Sequence, residues 1–516
     1  MNSKKSKGLW LAVAAAYLGL LGLLTLVERS APDASIQSFS DAFWYSLVTM
    51  STVGYGDLYP VTVPGRILGT VFILLSLGML TFLIGLLIHA VTGRMLPAAQ
   101  LWMARKKTWY VFSCQNSAAF ALAEDLKKQD PNCVTLFPVC ADSTPPDHLN
   151  GLIYHGSVES VAARKTDNCA ICFMDESNTY EQAAALQTGH RVYCRTDFSP
   201  DACPKNLTLF NPYACCAQRY WQDHSLKPEE RTVVLIGGGK YAEALLTQGL
   251  LLNVFAPERT VSYHIFGDWE NYLRNHHRMD ATLCINGADP TMDRLYFHRN
   301  AWNSDSGLLS TADRIILSLD DSDMNVEILG QIHRYFPVKG DIHLHCSSQI
   351  PGQTVFGTEN TTYTAQLVLQ EQLSIAARAM HQIYRDSTGG AAPSWEELSE
   401  FLRQSNIAAA SHLPTKIRML LQDDTIRTVT PENCRAAFAR YESCSPEQKE
   451  ICRRIEHRRW MRFHSLYNWQ YSPVRNNDAR EHPLMLPYEE LSSSDQKKDD
   501  YAWELMNQLA HRLRKD

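Results

Sequence analysis

The sequence predicts a membrane α-helical pore of two spans plus a short pore helix, fused to two α/β lobes and a mainly α-helical C-terminal domain. Three observations predict it. Two long apolar stretches bracket a shorter aromatic one in the first hundred residues. A strand–turn–helix pattern then occurs twice between residues 106 and 352. Beyond Pro393 the pattern turns helical and aromatic.

Residues Gly8 to Val27 carry no charge, and about 20 apolar residues suffice for a helix to cross a hydrocarbon core of about 30 Å. Ser38 to Met50, with Phe39, Phe43, Trp44 and Leu47 at helical spacing, is too short to span and reads as a pore helix. Val63 to Val91 is the second long apolar segment, and Pro64 falls in its first turn, where a missing N–H costs nothing. Between pore helix and second span lies Thr52-Val53-Gly54-Tyr55-Gly56-Asp57. Gly54 and Gly56 permit backbone angles closed to other residues, so an extended segment here can turn its carbonyls toward one axis. Thr52 adds a hydroxyl, and Asp57 a carboxylate at the mouth.

This segment resembles the selectivity filter of potassium channels. The resemblance implies potassium (K+) as the permeant ion and no other metal. One loop supplies a quarter of a filter, and re-entrant backbone is tolerated in a membrane only where protein or a wet cavity receives it, so a homotetramer in a lipid bilayer is expected. Lys4, Lys5 and Lys7 precede the first span, and Arg94, Arg105, Lys106 and Lys107 follow the second. Both termini are therefore expected in the cytoplasm of a cell (inner) membrane protein. A cleaved leader at the N-terminus would destroy the pore.

The chain has 516 residues, 45% of them hydrophobic, so a pore domain at 1–97 leaves room for about three more domains. A net charge of −6 with 20% charged residues points away from nucleic-acid binding. All 14 cysteines lie beyond Met95 with no disulfide spacing, and Cys169 and Cys172 fall inside an apolar strand, as core thiols do.

Trp109 to Ser113 is a short strand running into a turn and a helix, and Thr232 to Ile236 repeats the pattern. Later in each copy a strand ends in acid, Asp175 and Asp320, before another helix and strand. Such alternation gives doubly wound parallel sheets, here lobes 106–225 and 226–352. A pore followed by paired Rossmann-like lobes resembles the potassium channels with tandem RCK (TrkA-N) domains, whose lobes form a gating ring. That resemblance implies a gating hinge in the second span, at Gly78 or Gly85. Gly237, Gly239 and Ala242 form a glycine turn opening a helix, where bare N–H groups could cradle a nucleotide phosphate. Asp268 could accept from a ribose hydroxyl, although it lies further along than is usual for that role. Lobe one has Cys114, Gln115, Asn116 and Ala119 at the same turn, where side chains fill the phosphate's space; it reads as structural.

A helical connector and linker is expected at 353–393, ending in Asp386 to Pro393, with capping boxes following at Ser394 and Ser445. Within 394–516 come His457, Trp460, Trp469, Arg475, His482, Pro483, Pro487 and Tyr488. Their order resembles the RyR domain, first described as a repeat of ryanodine receptors, with a departure at Asn468 to Tyr471. As a ligand site, His457, Trp460, Trp469, Arg475, His482 and Tyr488 offer aromatic faces, imidazoles and a guanidinium suited to a planar, phosphorylated nucleotide. Each tryptophan also suits the core of a small helical domain. His343 and His345 share a strand face without a third metal ligand, and His89 stands near the end of the second span.

Together these features predict a potassium channel, not an enzyme, opened or closed by a cytosolic nucleotide or nucleotide-derived messenger, and suited to a stress or defence effector. The alternatives are a nucleotide-processing membrane enzyme and a nonconducting, membrane-anchored nucleotide sensor.

Overall fold

The computed structural model describes residues 3–90, 96–140, 144–176, 179–198, 203–369, 371–387 and 389–513. They form two compact units, Met1–Lys106 and Lys107–Asp516.

In the first unit, helices Ser3–Glu28 and Val63–Ala90 run 26 and 28 residues and coincide with the expected spans. Among the described residues, no helix is long and apolar enough to cross a membrane. The side chains of 3–14 and of much of 75–99 lie outside those residues. The helix Phe39–Met50 starts where the sequence places it, because Ser38 and Asp41 satisfy each other's backbone N–H groups in a capping box. Leu21, Leu24, Ile36, Ala42 and Phe72 form the local core, with Tyr17 and Tyr45 set edge-on to Phe72.

Glu28, at the end of the first helix, is fully buried. Its carboxylate accepts from Val61 N (2.8 Å), Thr62 N (3.0 Å) and Thr62 Oγ1 (2.5 Å), tying the end of the first helix to the start of the third. Gly65 makes room for it: a Cβ there would stand 1.8 Å from Glu28 Oε1.

In the second unit, lobe one is a six-stranded sheet of β1 (Trp109–Phe112), β2 (Val134–Pro138), β3 (Leu152–Tyr154), β4 (Cys169–Phe173), β5 (Arg191–Arg195) and β6 (Leu207–Phe210). Its order is β3-β2-β1-β4-β5-β6, with every pairing parallel. All five residues of β4 are buried, as befits a strand covered on both faces. Burial pushes the Cys169 thiol up to about 11 and raises that of Cys172 further. Such thiols are core residues, not nucleophiles.

Lobe two is a seven-stranded sheet of β7 (Thr232–Ile236), β8 (Ser262–Phe266), β9 (Leu283–Ile285), β10 (Asp293–His298), β11 (Arg314–Leu317), β12 (Asp341–His345) and β13 (Thr354–Phe356). The order is β13-β12-β11-β7-β8-β10-β9, again all parallel. Strand β13 carries lobe two past residue 352 into what reads as connector. The chain then returns to lobe one, where Tyr363, Leu367, Val368 and Leu369 enter the core beside Leu122 and Cys215.

In the linker-like stretch Gly389 and Gly390 take positive φ, and His381 and Arg385 hydrogen-bond to Pro393 O and Ala392 O. Helices Glu371–Ser387, Leu413–Leu421, Pro431–Glu442 and Tyr501–Arg512 pack around Trp503. The helix Pro446–Leu466 belongs to two bodies at once, since its Phe463 and Leu466 sit in the core of lobe two with Leu250 and Leu283.

Candidate functional site

Three regions bear on function: the filter segment, the glycine turn of lobe two, and the C-terminal domain with the cleft beneath it.

In the filter segment Thr52, Gly54 and Gly56 have φ of 57°, 59° and 73°, so left-handed residues alternate with Val53 and Tyr55. This alternation turns successive carbonyls toward one side. Thr52 adopts it at a cost of about 1–2 kcal/mol that glycine avoids. The segment is anchored to the pore helix, with Val53 N and Gly54 N both donating to Val48 O. At its outer end Trp44 Nε1 donates to Asp57 Oδ2 (2.9 Å), and the Trp44 and Tyr55 rings lie nearly parallel, 6.3 Å apart. Tyr55 is 68% exposed in the single protomer. Gly85 has nothing within 4 Å of its would-be Cβ. The surroundings of Gly78, like those of His89, lie outside the described residues.

In lobe two the glycine turn is as tight as the motif requires. Gly237 and Gly239 take φ of 149° and 108°, and a Cβ on Gly238 would meet the Asp268 backbone at 2.7 Å. Ala242 is fully buried beneath the turn. The helix end, however, already faces an anion: the Asp320 carboxylate accepts from Lys240 N (3.4 Å) and Tyr241 N (3.2 Å). A phosphate there must displace or share with Asp320. Asp268 accepts from Glu270 N. Beside the turn opens a cleft of about 1050 Å³ floored by Gly237 and Asp268 and walled by Trp269, His298, Arg299 and Trp302. Lobe one is filled in a parallel way, since Asn116 caps the helix Ser117–Gln129 and Ser117 Oγ donates to Glu359 (2.8 Å).

The six C-terminal candidates separate into three groups. His457 and Tyr488 are buried pins: His457 Nε2 meets Leu486 O at 2.8 Å and its Nδ1 faces Asp499 at 3.4 Å, while the Tyr488 hydroxyl accepts from Arg453 Nε. Burial works against a charged His457 ring, but Asp499 outweighs it and the pKa lies above the ordinary value. Trp460 and His482 form an imidazole–indole cluster with His464, ring centroids 4.0 and 5.0 Å from Trp460. Burial first, then Arg475, lowers His482 to about 4.

Trp469, edge-on to His464 at 5.4 Å, and Arg475 make the third group. They line a cleft of about 920 Å³ in which lobe one, lobe two and the C-terminal domain all take part. Trp469 stacks on Phe401 at 4.9 Å, and Arg475 Nε donates to Asn477 Oδ1. Opposite stand Tyr213 of lobe one and Lys240 of lobe two, the latter paired with Asp197. Sequence reasoning missed Tyr213, Lys240, Phe401 and Arg480, because only the fold brings such distant stretches together.

His343 and His345 are structural, bonded through Nδ1 to the Tyr220 hydroxyl and Leu319 O. Among the described residues no group of three His, Cys, Asp or Glu could hold a metal ion.

The helix–filter–helix geometry of the first unit defines an ion-channel domain, and residues 9–93 match the Ion channel family. Potassium channels are among the similar proteins. The voltage-gated potassium channel of Aeropyrum pernix is 45% identical over 60 residues, 12% of this chain and 20% of that one. Potassium voltage-gated channel subfamily A member 4 of Homo sapiens is 54% identical over 43 residues, 8% of this chain and 7% of that one. The chain thus spans a fifth or less of the length of these curated relatives. Among solved structures, the GsuK channel bound to NAD aligns over 69% of this chain and 82% of its own, at 11% identity and a TM-score of 0.32.

Proposed function

We propose that the chain is the subunit of a homotetrameric, potassium-selective channel in a cell membrane, with both termini cytoplasmic. Its conductance is set by a nucleotide or nucleotide-derived messenger bound to the Lys107–Asp516 unit. The observation that carries the reading is the alternation of left-handed residues at Thr52, Gly54 and Gly56 behind a capped pore helix. Only a row of carbonyls facing one axis can replace the water around a dehydrated ion, and fourfold repetition closes the ring.

The ligand-sensing half rests on the cytosolic unit. Two clefts of ligand size open on it, one at the glycine turn of lobe two and one under Arg475 and Trp469.

The test is ion flux from liposomes containing the purified chain. Potassium should pass in large excess over sodium, and Gly56→Ala should abolish the flux while leaving the tetramer. Equal permeability of the two ions would sink the channel reading. Chromatography of added ATP after incubation with the chain should show it unconsumed.

A further inference from the structure

Both places where a doubly wound lobe ordinarily seats a phosphate are taken by the chain's own side chains. In lobe two Asp320 lies on the helix end at Lys240 and Tyr241. In lobe one Asn116 caps the helix and Glu359 holds Ser117. There remains the cleft under the C-terminal domain.

Its lining has the chemistry of a nucleotide. One wall is aromatic: Tyr467, 38% exposed, and Phe401 lie 5.5 Å apart edge to face, with Phe401 backed by Trp469. A planar base can lie on the face of one ring and against the edge of the other, contacts that suit any base because each has a π-face. Next to it the loop 475–480 brings two exposed guanidiniums to the rim. Arg475 uses its Nε on Asn477, and Arg480 uses one Nη1 hydrogen bond on Tyr467 O, leaving donors of both forks for phosphate oxygens. Glu243 and Asp478 supply acceptors for ribose hydroxyls or an exocyclic amine. The remaining cleft charges are already matched, Lys240 by Asp197 and Glu400 by Arg403.

We infer that this three-way cleft is the messenger site, taking a phosphorylated nucleoside with its base on Tyr467 and Phe401 and its phosphates on Arg475 and Arg480. A ligand seated there touches Tyr213 of lobe one and Glu243 of lobe two together with the C-terminal loop, so occupancy is felt by both lobes at once. The inference rests on the reading that the cytosolic unit senses a nucleotide, and not on the ion the pore selects.

The test uses the full chain in nanodiscs, photolabelled with 8-azido-ATP and digested for mass spectrometry. Label should map to peptides bearing Tyr213, Phe401 or Tyr467, and be displaced by excess ATP but not by adenosine. Losing charge-assisted phosphate contacts in an Arg475→Ala/Arg480→Ala variant should lower saturable labelling by about tenfold or more. Both arginines are on an exposed loop, so the variant should keep its unfolding temperature, and Asp268→Ala should label normally. Label confined to peptides bearing Asp268 or Trp302, labelling indifferent to the double arginine variant, or no saturable labelling would each overturn the inference. Any of these results leaves potassium flux, the test of the channel reading, untouched.

Discussion

Arg462 of the C-terminal domain and Asp293 of lobe two form an ion pair at 2.8 Å with side chains only 2% and 8% exposed. Asp293 also accepts from Val261 N and from Arg458, and Arg462 donates to Leu250 O. The helix Pro446–Leu466 is therefore fastened to the strand end at Asp293 and to the helix end at Leu250. Any movement of the C-terminal domain is a load on lobe two.

Removing one partner of this pair should be costly, because the other is left charged and buried. Asp293→Ala is expected to destabilise the Lys107–Asp516 unit by about 3–5 kcal/mol. Arg462 Nε and Nη2 already lack hydrogen-bond partners among the described residues. The apolar double variant Asp293→Leu/Arg462→Met should accordingly fall much less far, if at all. Thermal unfolding of the single and double variants checks this; equal losses would mean that the pair contributes through packing alone.

Glu28 predicts a second effect, in the pore. Its carboxylate collects three donors, and Glu28→Gln replaces one acceptor with an N–H that faces Val61 N or Thr62 N. Hydrogen bonds to a charged group contribute about 1.5–3 kcal/mol, so the proposed tetramer should lose heat resistance and conductance together. Gly65→Ala should do the same by collision, given a Cβ 1.8 Å from Glu28 Oε1. Single-channel recording and a heating series on detergent-solubilised tetramer would show it, and unchanged conductance in both variants would argue against this tie.

How far these features could be read in advance depends on how local their causes are. The pore helix was legible because Phe39, Phe43, Trp44 and Leu47 recur at helical spacing, and the lobes because a buried parallel strand such as β4 is a continuous apolar run. The filter's left-handed glycines were legible from residue type, whereas Thr52 in the same conformation was not, since nothing in a threonine announces it. Glu28, Asp320 and Glu359 were invisible in their roles: each acts on backbone or side chains brought close only by the fold. The C-terminal candidates were chosen for their chemistry, which does not say where each side chain goes: the fold turns His457 and Tyr488 inward and, of the six, brings Trp469 and Arg475 to the cleft. Periodicity along one helix cannot tell which face lobe two will cover.

Several histidines make stability depend on pH in a stated direction. Burial lowers His264 and His482 to about 4 and His464 to about 3, below the ordinary 6.5. The unfolded chain then binds protons that the folded chain refuses, so stability present above pH 6.5 is lost as pH falls from about 6.5 toward 4. His457 runs the other way: its raised pKa adds stability below 6.5 that disappears as pH rises through the folded value. Burial lowers His224, His276, His298, His343, His345 and His412 as well, and these rings outweigh the raised His457, so the unfolding temperature should drop on acidification and His482→Phe should flatten that drop. A melting profile between pH 7 and 4.5 measures it; a profile unaltered by His482→Phe would place the acid sensitivity elsewhere.

Asp320 supplies the last prediction. Its carboxylate rests on the N-terminal end of the helix Lys240–Leu252, where negative charge stabilises by about 0.3–1 kcal/mol. Asp320→Asn should cost about that much, a small shift in melting temperature. The same substitution removes the negative charge from the place where a phosphate would sit, so it should strengthen binding of inorganic pyrophosphate at lobe two if the glycine turn retains any affinity for it. Gly239→Ala should do harm of a different kind: φ of 108° is strained for alanine, and its Cβ would stand 2.6 Å from Asp320 Oδ2. That variant should melt lower than Asp320→Asn and show no pyrophosphate binding. Calorimetry with pyrophosphate on the two variants and the parent chain separates the cases. Tight binding to the parent would mean that Asp320 yields to the ligand; binding that first emerges in Asp320→Asn would mean that Asp320 holds the phosphate seat closed.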